Sequence, residues 1–556
     1  MRILLLCHSF NSLTQAVHAR LRELGHTVSV EYDIHDAVTE EAVSLFAPDV
    51  IVAPFLKRAI PASVWQHVPC LIIHPGPPGD RGPSALDWAI LKGHEHWGVT
   101  VLQAVEEMDA GPVWAWRPVA LYSERKGALY RNRIVPAALS ALEEALERLQ
   151  AGASPVPADA FMSDLPQVTG WQPPMKQADR AIDWSRDDTA TVLRKIHSAD
   201  GWPGLLDDSE AEPVYLFNAC AVADLHGAPG TWIGQQDGGF FRATRDGAVW
   251  IGHMRARPNS TDVPTLKLPA TQVRPDLAAS LPELTHLPSL VRYEEKENVG
   301  ILHFPFYNGA MRETDCRALE EAVTRALTRP IKVLALAGGP EFFSNGIHLY
   351  DIETAESPAE ASWQTIQAMD DLCERLLKAD SVLTASLLQG NAGAGGFFMA
   401  LTADALWARD GVILNPHYRN MGNLYGSEYW TYTLPRRLDE EAALKLADAR
   451  LPLNAQQALN TGLLDAIGPA THSVFMDWAW TNLLRLSEDP SLPVQLEAKR
   501  NRLKDDAERI ARCRAQELAH MHQNFFGFDP SYHFARYHFV HKIPKSRTPR
   551  YLAIHR

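Results

Sequence analysis

Three short apolar runs separated by helix-like stretches open this chain, and they leave little choice of fold. Met1–Leu6 reads as a buried strand, Leu13–Leu24 carries helical spacing and is stopped by Gly25, and Val28–Tyr32 is a second strand. A helix over Glu40–Phe46 leads to a third strand at Pro48–Ala53. Strand–helix–strand alternation of this kind predicts a doubly wound parallel sheet. No GxGxxG follows the first strand, so a dinucleotide site is not indicated.

The stretch Cys70–Gly111 holds the first chemical signal. The apolar run Leu71-Ile72-Ile73 ends in His74-Pro75-Gly76, followed by the loop Pro77-Pro78-Gly79-Asp80-Arg81-Gly82-Pro83. A helix-like segment at Ser84–Lys92, a strand-like run at Gly98–Val105 and the turn Met108-Asp109-Ala110-Gly111 come next. His74 closes one buried strand and Asp109 lies in the loop after another. Open α/β sheets collect ligands at the carboxyl ends of their strands, where a His polarises a carbonyl or moves a proton near neutral pH. The plainer alternative is a His bonded to a turn carbonyl and an Asp capping a loop.

Further along, Ala137–Leu149 reads as an amphipathic helix and Ala151–Pro174 as a Pro/Ala-rich linker. From Asp179 to about Pro275, short strands with many Gly and Pro predict a small β-barrel-like unit. A second α/β pattern follows, with strands at Gly300–Pro305, Ile331–Ala337 and Val382–Gln389 and helices at Glu313–Leu327 and Ser362–Lys378. Asp439–Ala449 and Asn454–Thr461 are further helices, and Gln495–Gln523 reads as one long charged helix. The last residues carry Arg536, Lys542, Lys545, Arg547, Arg550 and Arg556, either a basic tail over an acidic body or a phosphate clamp. The expected division is residues 1–174, 175–275, 276–490 and 491–556.

Bulk properties narrow the function. A net charge of −14 argues against nucleic-acid binding by general electrostatics, which needs a basic face. The six cysteines are widely spaced with no CxxC, giving neither a disulfide framework nor a zinc site, and no metal is expected. The apolar start is too short for a signal peptide and no run reaches membrane-spanning length, so a soluble cytoplasmic protein is the expectation.

Two family resemblances rest on motifs in order. Phe46-Ala47-Pro48-Asp49-Val50-Ile51-Val52, Ile60-Pro61, His74-Pro75 with Arg81-Gly82, Gly98-Val99-Thr100-Val101 and Met108-Asp109-Ala110-Gly111 resemble the folate-dependent formyltransferases. Ala181-Ile182-Asp183-Trp184-Ser185, Ile196-His197-Ser198 and Trp202-Pro203-Gly204 resemble the start of that family's C-terminal domain. The resemblance implies a 10-formyltetrahydrofolate site in which His74 and Asp109 match the family's His and Asp, with Ser9, Arg81, Gly82 and Arg131 as ligand-binding candidates. The family's Asn belongs two residues before the His, where this chain has Ile72. Losing one oxyanion donor costs on the order of 10²–10³ in rate unless it is replaced. Either another donor substitutes or the acceptor is a stronger nucleophile than an amine, such as a thiol.

Ala335-Leu336-Ala337-Gly338-Gly339, Phe342 to Leu349, Gln389 to Phe398, and Leu434-Pro435-Arg436-Arg437 resemble the crotonase (enoyl-CoA hydratase/isomerase) superfamily. The resemblance implies that the backbone N–H groups of Ile347 and Gly395 hold a coenzyme A thioester oxygen, with Asn345 and Gly346 shaping the first turn. Phe398 stands at the first hydratase Glu position and His417 near the second, so hydration is not expected. Tyr418 and Glu428 are the acid/base candidates, because a Glu beside aromatic walls titrates nearer neutrality; the alternative pairs Glu428 with Arg419 or Arg436.

Joined in one chain, the modules resemble the hydrogenase maturation factor family HypX (HoxX), which implies synthesis of the carbon monoxide ligand of [NiFe]-hydrogenase iron. Formyl would pass from 10-formyltetrahydrofolate to coenzyme A, and formyl-CoA would release carbon monoxide, with hydrogenase maturation proteins as acceptors. Two alternatives stay open: formyl transfer to an amine with acyl-CoA hydrolysis, and a non-catalytic folate- or CoA-binding adaptor.

Overall fold

The computed structural model describes residues 1–165, 170–258 and 265–556, with the backbone alone at 162–164. Residues 166–169 of the expected linker and 259–264 of the β segment lie outside the described residues. The chain forms two compact units, Met1–Leu287 with Lys545–Arg556, and Pro288–Pro544.

In the first unit, β1 (Arg2–Cys7), β2 (Thr27–Tyr32), β3 (Val50–Phe55), β4 (Cys70–His74), β5 (His96–Gln103) and β6 (Val113–Ala120) form one sheet in the order β2-β1-β3-β4-β5-β6. The first four strands run parallel, as their helical crossovers require. β5 and β6 are antiparallel, so the sheet is mixed rather than wholly parallel. The Pro/Gly loop and the single helix Ala85–Leu91 after β4 return the chain in the opposite sense, and β6 follows by a turn around Asp109.

A second sheet holds β7 (Leu205–Asp207), β8 (Val214–Val222), β9 (Trp232–Gln236), β10 (Gly239–Ala243) and β11 (Ala248–Ala256) in the antiparallel order β7-β8-β11-β10-β9, with Leu268–Pro269 added to β11. Among the described residues this path does not close into a barrel. Helix Thr189–Ala199 covers one face, burying Val192, Leu193 and Ile196 against Leu216 and Ile251.

Residues 545–556 return to β2. The amide of Val30 donates to the carbonyl of Leu552 (2.9 Å). Glu31, 1 % exposed, accepts from Thr548, His555 and Arg556. Arg556 also pairs with Glu41, while Arg536, in the second unit, pairs with Glu353. Arg536 and Arg556 thus serve in ion pairs with acidic neighbours, while Lys542 lies over the Phe539 ring and Lys545 over that of Tyr32.

The second unit is built on a sheet ordered Arg292–Lys296, Val299–Phe304, Val333–Gly338, Leu383–Leu388, Ala405–Arg409 and Ala466–Gly468. All of its pairings are parallel except the opening hairpin. A smaller sheet joins Phe342–Ser344, Asn391–Gly393, Ile413–Asn415 and Leu453–Asn454. Helices Glu313–Ala326 and Pro358–Leu377 bury Cys316, Leu319, Val323, Leu372 and Leu376 in the main core. The expected long C-terminal helix is two helices, Leu492–Asp505 and Ala507–Phe526, parted at Asp506. Among the described residues no helix is long and apolar enough to cross a membrane.

Burial raises the carboxyl of Glu31, but His555, Thr548 and Arg556 outweigh it and hold it below its ordinary range. Its contribution is therefore present above the ordinary carboxyl range and fades as pH falls through the lowered value. Glu31→Ala is expected to cost about 3 kcal/mol at pH 7. In thermal unfolding the gap from wild type should narrow toward pH 3.

Two candidate active sites

The first site forms where parallel strands end. β1, β3 and β4 finish on the same edge at Cys7, Phe55 and His74, so the turn 8–11 and His74 lie two strands apart, about 10 Å. His74 is 4 % exposed and its Nε2 lies 2.9 Å from Asp80 Oδ2. Nδ1 lies 3.7 Å from Asp109 Oδ1. Asp109 takes a left-handed backbone (φ 56°), and the Gly82 amide donates to its Oδ2 (3.2 Å). Burial pushes the His74 imidazole down, but the hydrogen bond to Asp80 and the charges of Asp109 and Asp80 outweigh it and raise the ring above its ordinary value.

The loop 75–83 is shaped to make this contact. Trp97 Nε1 donates to the Pro75 carbonyl and Thr100 Oγ1 to that of Gly76. Gly76 has no room for a side chain, since a Cβ would lie 2.5 Å from His74 Nε2 and overlap Asp80 Oδ2. Gly82 (φ 119°) is likewise closed, by the Gln172 carbonyl. Arg81 pairs with Glu107 at 2.6 Å. Ile72 packs against a core cluster with Leu4, Ile51 and Ala53, so the family's amide donor has no counterpart in that side chain.

Ser9 sits in the turn after β1, its carbonyl accepting from Thr14 Oγ1 (3.2 Å). Arg131 lies in the π-turn Tyr130–Ile134 and donates to the Gly127 carbonyl (3.0 Å). Tyr130 is hydrogen-bonded to Asn11, which brings that turn to the Ser9 loop; burial pushes the Tyr130 hydroxyl up to about 12. Asp80 is the functional candidate that sequence reasoning passed over. The signal was a carboxylate six residues after the His, in a loop with enough Gly and Pro to turn back.

In the second unit, the strand Val333–Gly338 leads to the turn at Asn345–Ile347, and Leu383–Leu388 leads to Gly395. A Cβ on Gly346 would lie 3.2 Å from the Gly395 nitrogen, so the two turns touch. Asn345 supports the first turn by donating its side-chain amide to the Asn308 carbonyl (2.8 Å). Gly395 begins the helix Gly395–Ala400, so its N–H has no partner within that helix. Ala394 before it adopts φ 46°, a conformation costly for a residue with a Cβ.

Glu428 meets this place directly: a Cβ on Gly395 would overlap Glu428 Oε1. Tyr418 Oη is hydrogen-bonded to Glu428 Oε2 and lies 2.9 Å from the Ser427 carbonyl. Its ring stacks on Phe398 with centroids 4.9 Å apart. Glu428 and Tyr429 are both left-handed, at φ 61° and 59°. Asp370 holds that turn, accepting from Ser427 Oγ (2.5 Å) and from the Glu428 amide (2.8 Å). Glu517 accepts from the amides of Tyr429 and Thr431 at 2.9 and 2.8 Å.

All three acids are at most 1 % exposed. Burial, then the charge of Asp370, pushes Glu428 up to about 8; burial lifts Asp370 to about 6 and raises Glu517 well above the carboxyl range. Neither suggested arginine pairs with Glu428: Arg419 bonds Asp448 at 3.0 Å and Arg436 lies over the Tyr432 ring. Burial lowers His417 to about 4, so its ring is neutral at pH 7. Among the described residues, no group of three or more His, Cys, Asp or Glu is arranged to hold a metal ion.

An unfolded Glu releases its proton near 4.5, whereas Glu428 keeps it to about 8. Between those values the folded state binds more protons than the unfolded one, so stability falls as pH rises. Glu428→Gln removes that penalty, on the order of 4 kcal/mol at pH 8. The variant should melt above wild type at pH 8 and converge with it near pH 4.5.

Comparison with known proteins matches both modules. A formyl transferase family model matches residues 8–146, a formyl transferase C-terminal domain model 174–261, and an enoyl-CoA hydratase/isomerase model 302–534. The methionyl-tRNA formyltransferase of Desulfotalea psychrophila is 32 % identical over 38 % of this chain and 62 % of its own. The hydrogenase maturation factor HoxX of Bradyrhizobium diazoefficiens is 51 % identical over 100 % of this chain and 97 % of its own. The crystal structure of HypX from Aquifex aeolicus in complex with tetrahydrofolic acid superposes with a TM-score of 0.95, at 44 % identity over 100 % of this chain and 99 % of that one. The chain therefore belongs to the HypX/HoxX family of hydrogenase maturation factors, a formyltransferase fused to an enoyl-CoA hydratase-like domain.

Proposed function

We propose that this protein makes carbon monoxide for hydrogenase maturation, moving a formyl group from 10-formyltetrahydrofolate to coenzyme A and then decarbonylating formyl-CoA. The observation that carries the reading is the contact of Glu428 with Gly395, which sets an acid/base pair against a thioester oxyanion donor. The relative's complex with tetrahydrofolic acid supports folate at the first site.

In the first reaction the thiol sulfur bonds to the formyl carbon and the carbon–N10 bond breaks. Asp109 takes the thiol proton and N10 finally receives it, while His74 faces the oxygen that gains negative charge. Ser9, Arg81, Gly82 and Arg131 are the candidate ligand contacts around this edge. A thiol acceptor suits a site whose side chain at Ile72 offers no donor, because a thiolate needs less activation than an amine.

In the second reaction Ile347 and Gly395 N–H groups hold the formyl oxygen. Glu428, in the fraction of molecules in which it has released its own proton, removes the formyl proton; the carbon–sulfur bond breaks with its electron pair on sulfur, and the carbon–hydrogen pair stays on carbon as the lone pair of carbon monoxide. The proton returns to sulfur, so coenzyme A leaves as the thiol. Tyr418 can donate either to Glu428 or to the Ser427 carbonyl, which lets it follow the proton on Glu428 without moving. The close approach of Gly346 and Gly395 makes a backbone cradle that suits a thioester. A hydrogenase maturation partner would receive the gas.

Purified protein given 10-formyltetrahydrofolate and coenzyme A should produce carbon monoxide, read from the haemoglobin spectrum. His74→Ala should abolish loss of the formyl group, and Glu428→Ala should let formyl-CoA accumulate. Formyl loss and carbon monoxide both absent would refute the synthase; ligand protection without turnover would favour the adaptor.

A further inference from the structure

Asp80 has an unusual environment for a carboxylate. It is 1 % exposed, Oδ2 meets His74 Nε2 at 2.9 Å, and Oδ1 has no partner among the described residues. A buried carboxylate held by so few donors requires a cation beside it. The charged groups around it leave that role to His74. Arg81 pairs with Glu107. His94, the other imidazole near Asp80, is lowered by burial and by Lys92. Asp109 faces the other side of the His74 ring and adds a second negative charge.

The consequence lies in the proton count on one ring. A neutral imidazole has a single N–H; if it points at Asp80, Nδ1 is an acceptor and offers nothing to an oxyanion. A charged ring keeps a proton on Nδ1 as well. The 3.7 Å gap from Nδ1 to Asp109 Oδ1 is longer than a hydrogen bond, so that proton is not consumed by Asp109. Ile72 lies two residues earlier on the same strand, where the formyltransferases resembled by this chain place an amide donor.

We propose that Asp80 is a positioning residue for formyl transfer: by accepting the Nε2 proton it keeps His74 doubly protonated, and the Nδ1–H replaces the oxyanion donor missing at Ile72. The proposal rests on reading this edge as the formyl-transfer site. It accounts for Gly76, whose lack of a Cβ is what admits the Asp80 carboxylate to the ring. It also fits the raised imidazole, on which burial acts downward and the two acids act upward.

Asp80→Asn tests it, because the amide keeps the shape and removes the charge. With tetrahydrofolate affinity within about threefold of wild type, formyl loss should fall on the order of 10²–10³. The remaining activity should lose its alkaline limb at lower pH. Adding Ile72→Asn to Asp80→Asn should restore at least tenfold. Ring-nitrogen NMR of the wild type should show both His74 nitrogens protonated at pH 7, and one in Asp80→Asn. A neutral His74 in the wild type overturns the proposal whether or not the protein turns over. So does an Asp80→Asn loss that neither lower pH nor Ile72→Asn relieves while folate still binds. Wild-type protein with a doubly protonated His74 but no formyl loss would instead overturn the reading of the site.

Discussion

Parallel strands all finish on one edge, and that constraint places the chemistry of both units. In the first, His74 ends β4 on the edge where β1 and β3 also stop. In the second, the strands ending at Gly338 and Leu388 are neighbours in the sheet, so the turns they feed, at Gly346 and Gly395, are brought into contact. Backbone at these edges is released from the ladder and can aim its N–H groups elsewhere. His74 is the last residue of its strand, and Gly346 and Gly395 lie eight and seven residues beyond theirs.

Around those edges the protein buries acids with few cations. At His74 the balance is met by one imidazole between two carboxylates. At Glu428 it is met by protonation, since Asp370 and Glu517 stand close and the nearby arginine, Arg514, is engaged with Asp371 and Glu374. Desolvation opposes charge at both sites: at the first the carboxylates of Asp80 and Asp109 outweigh it and favour a cation, and at the second the charge of Asp370 adds to it and favours a neutral acid. The left-handed pair at Glu428 and Tyr429 is held by side chains from two separate helices, Asp370 from Pro358–Leu377 and Glu517 from Ala507–Phe526. Strain of this kind persists where surrounding contacts over-determine it.

Much of this was legible in the residues. Ordered motifs around His74, Asp109, Asn345 and Gly395 pointed to both modules, and the Tyr418–Glu428 contact joins residues only ten apart. What escaped depended on distance or on loop geometry. Asp80 was visible but unreadable as a partner until the path of the glycine loop was known. Asp370 and Glu517 are 58 and 88 positions from the amides they hold, and nothing in their own helices sets them apart from core-facing acids that pair locally. The antiparallel β5 and β6 were missed because a strand pattern does not record direction. Asp506 broke the expected long helix without a Gly or Pro to announce it.

The return of residues 545–556 to β2 makes the second unit an insertion within the first. During synthesis the edge of β2 emerges early, yet Leu552 and His555 reach it only after some five hundred further residues have been made. The first unit must therefore wait, its Glu31 without His555 and Arg556, while the whole of the second unit is translated. At roughly 5–20 residues per second that interval is on the order of a minute. A chain cut short anywhere in the second unit leaves the β2 edge uncovered, so nascent fragments of this protein carry a mark of incompleteness that the finished chain erases.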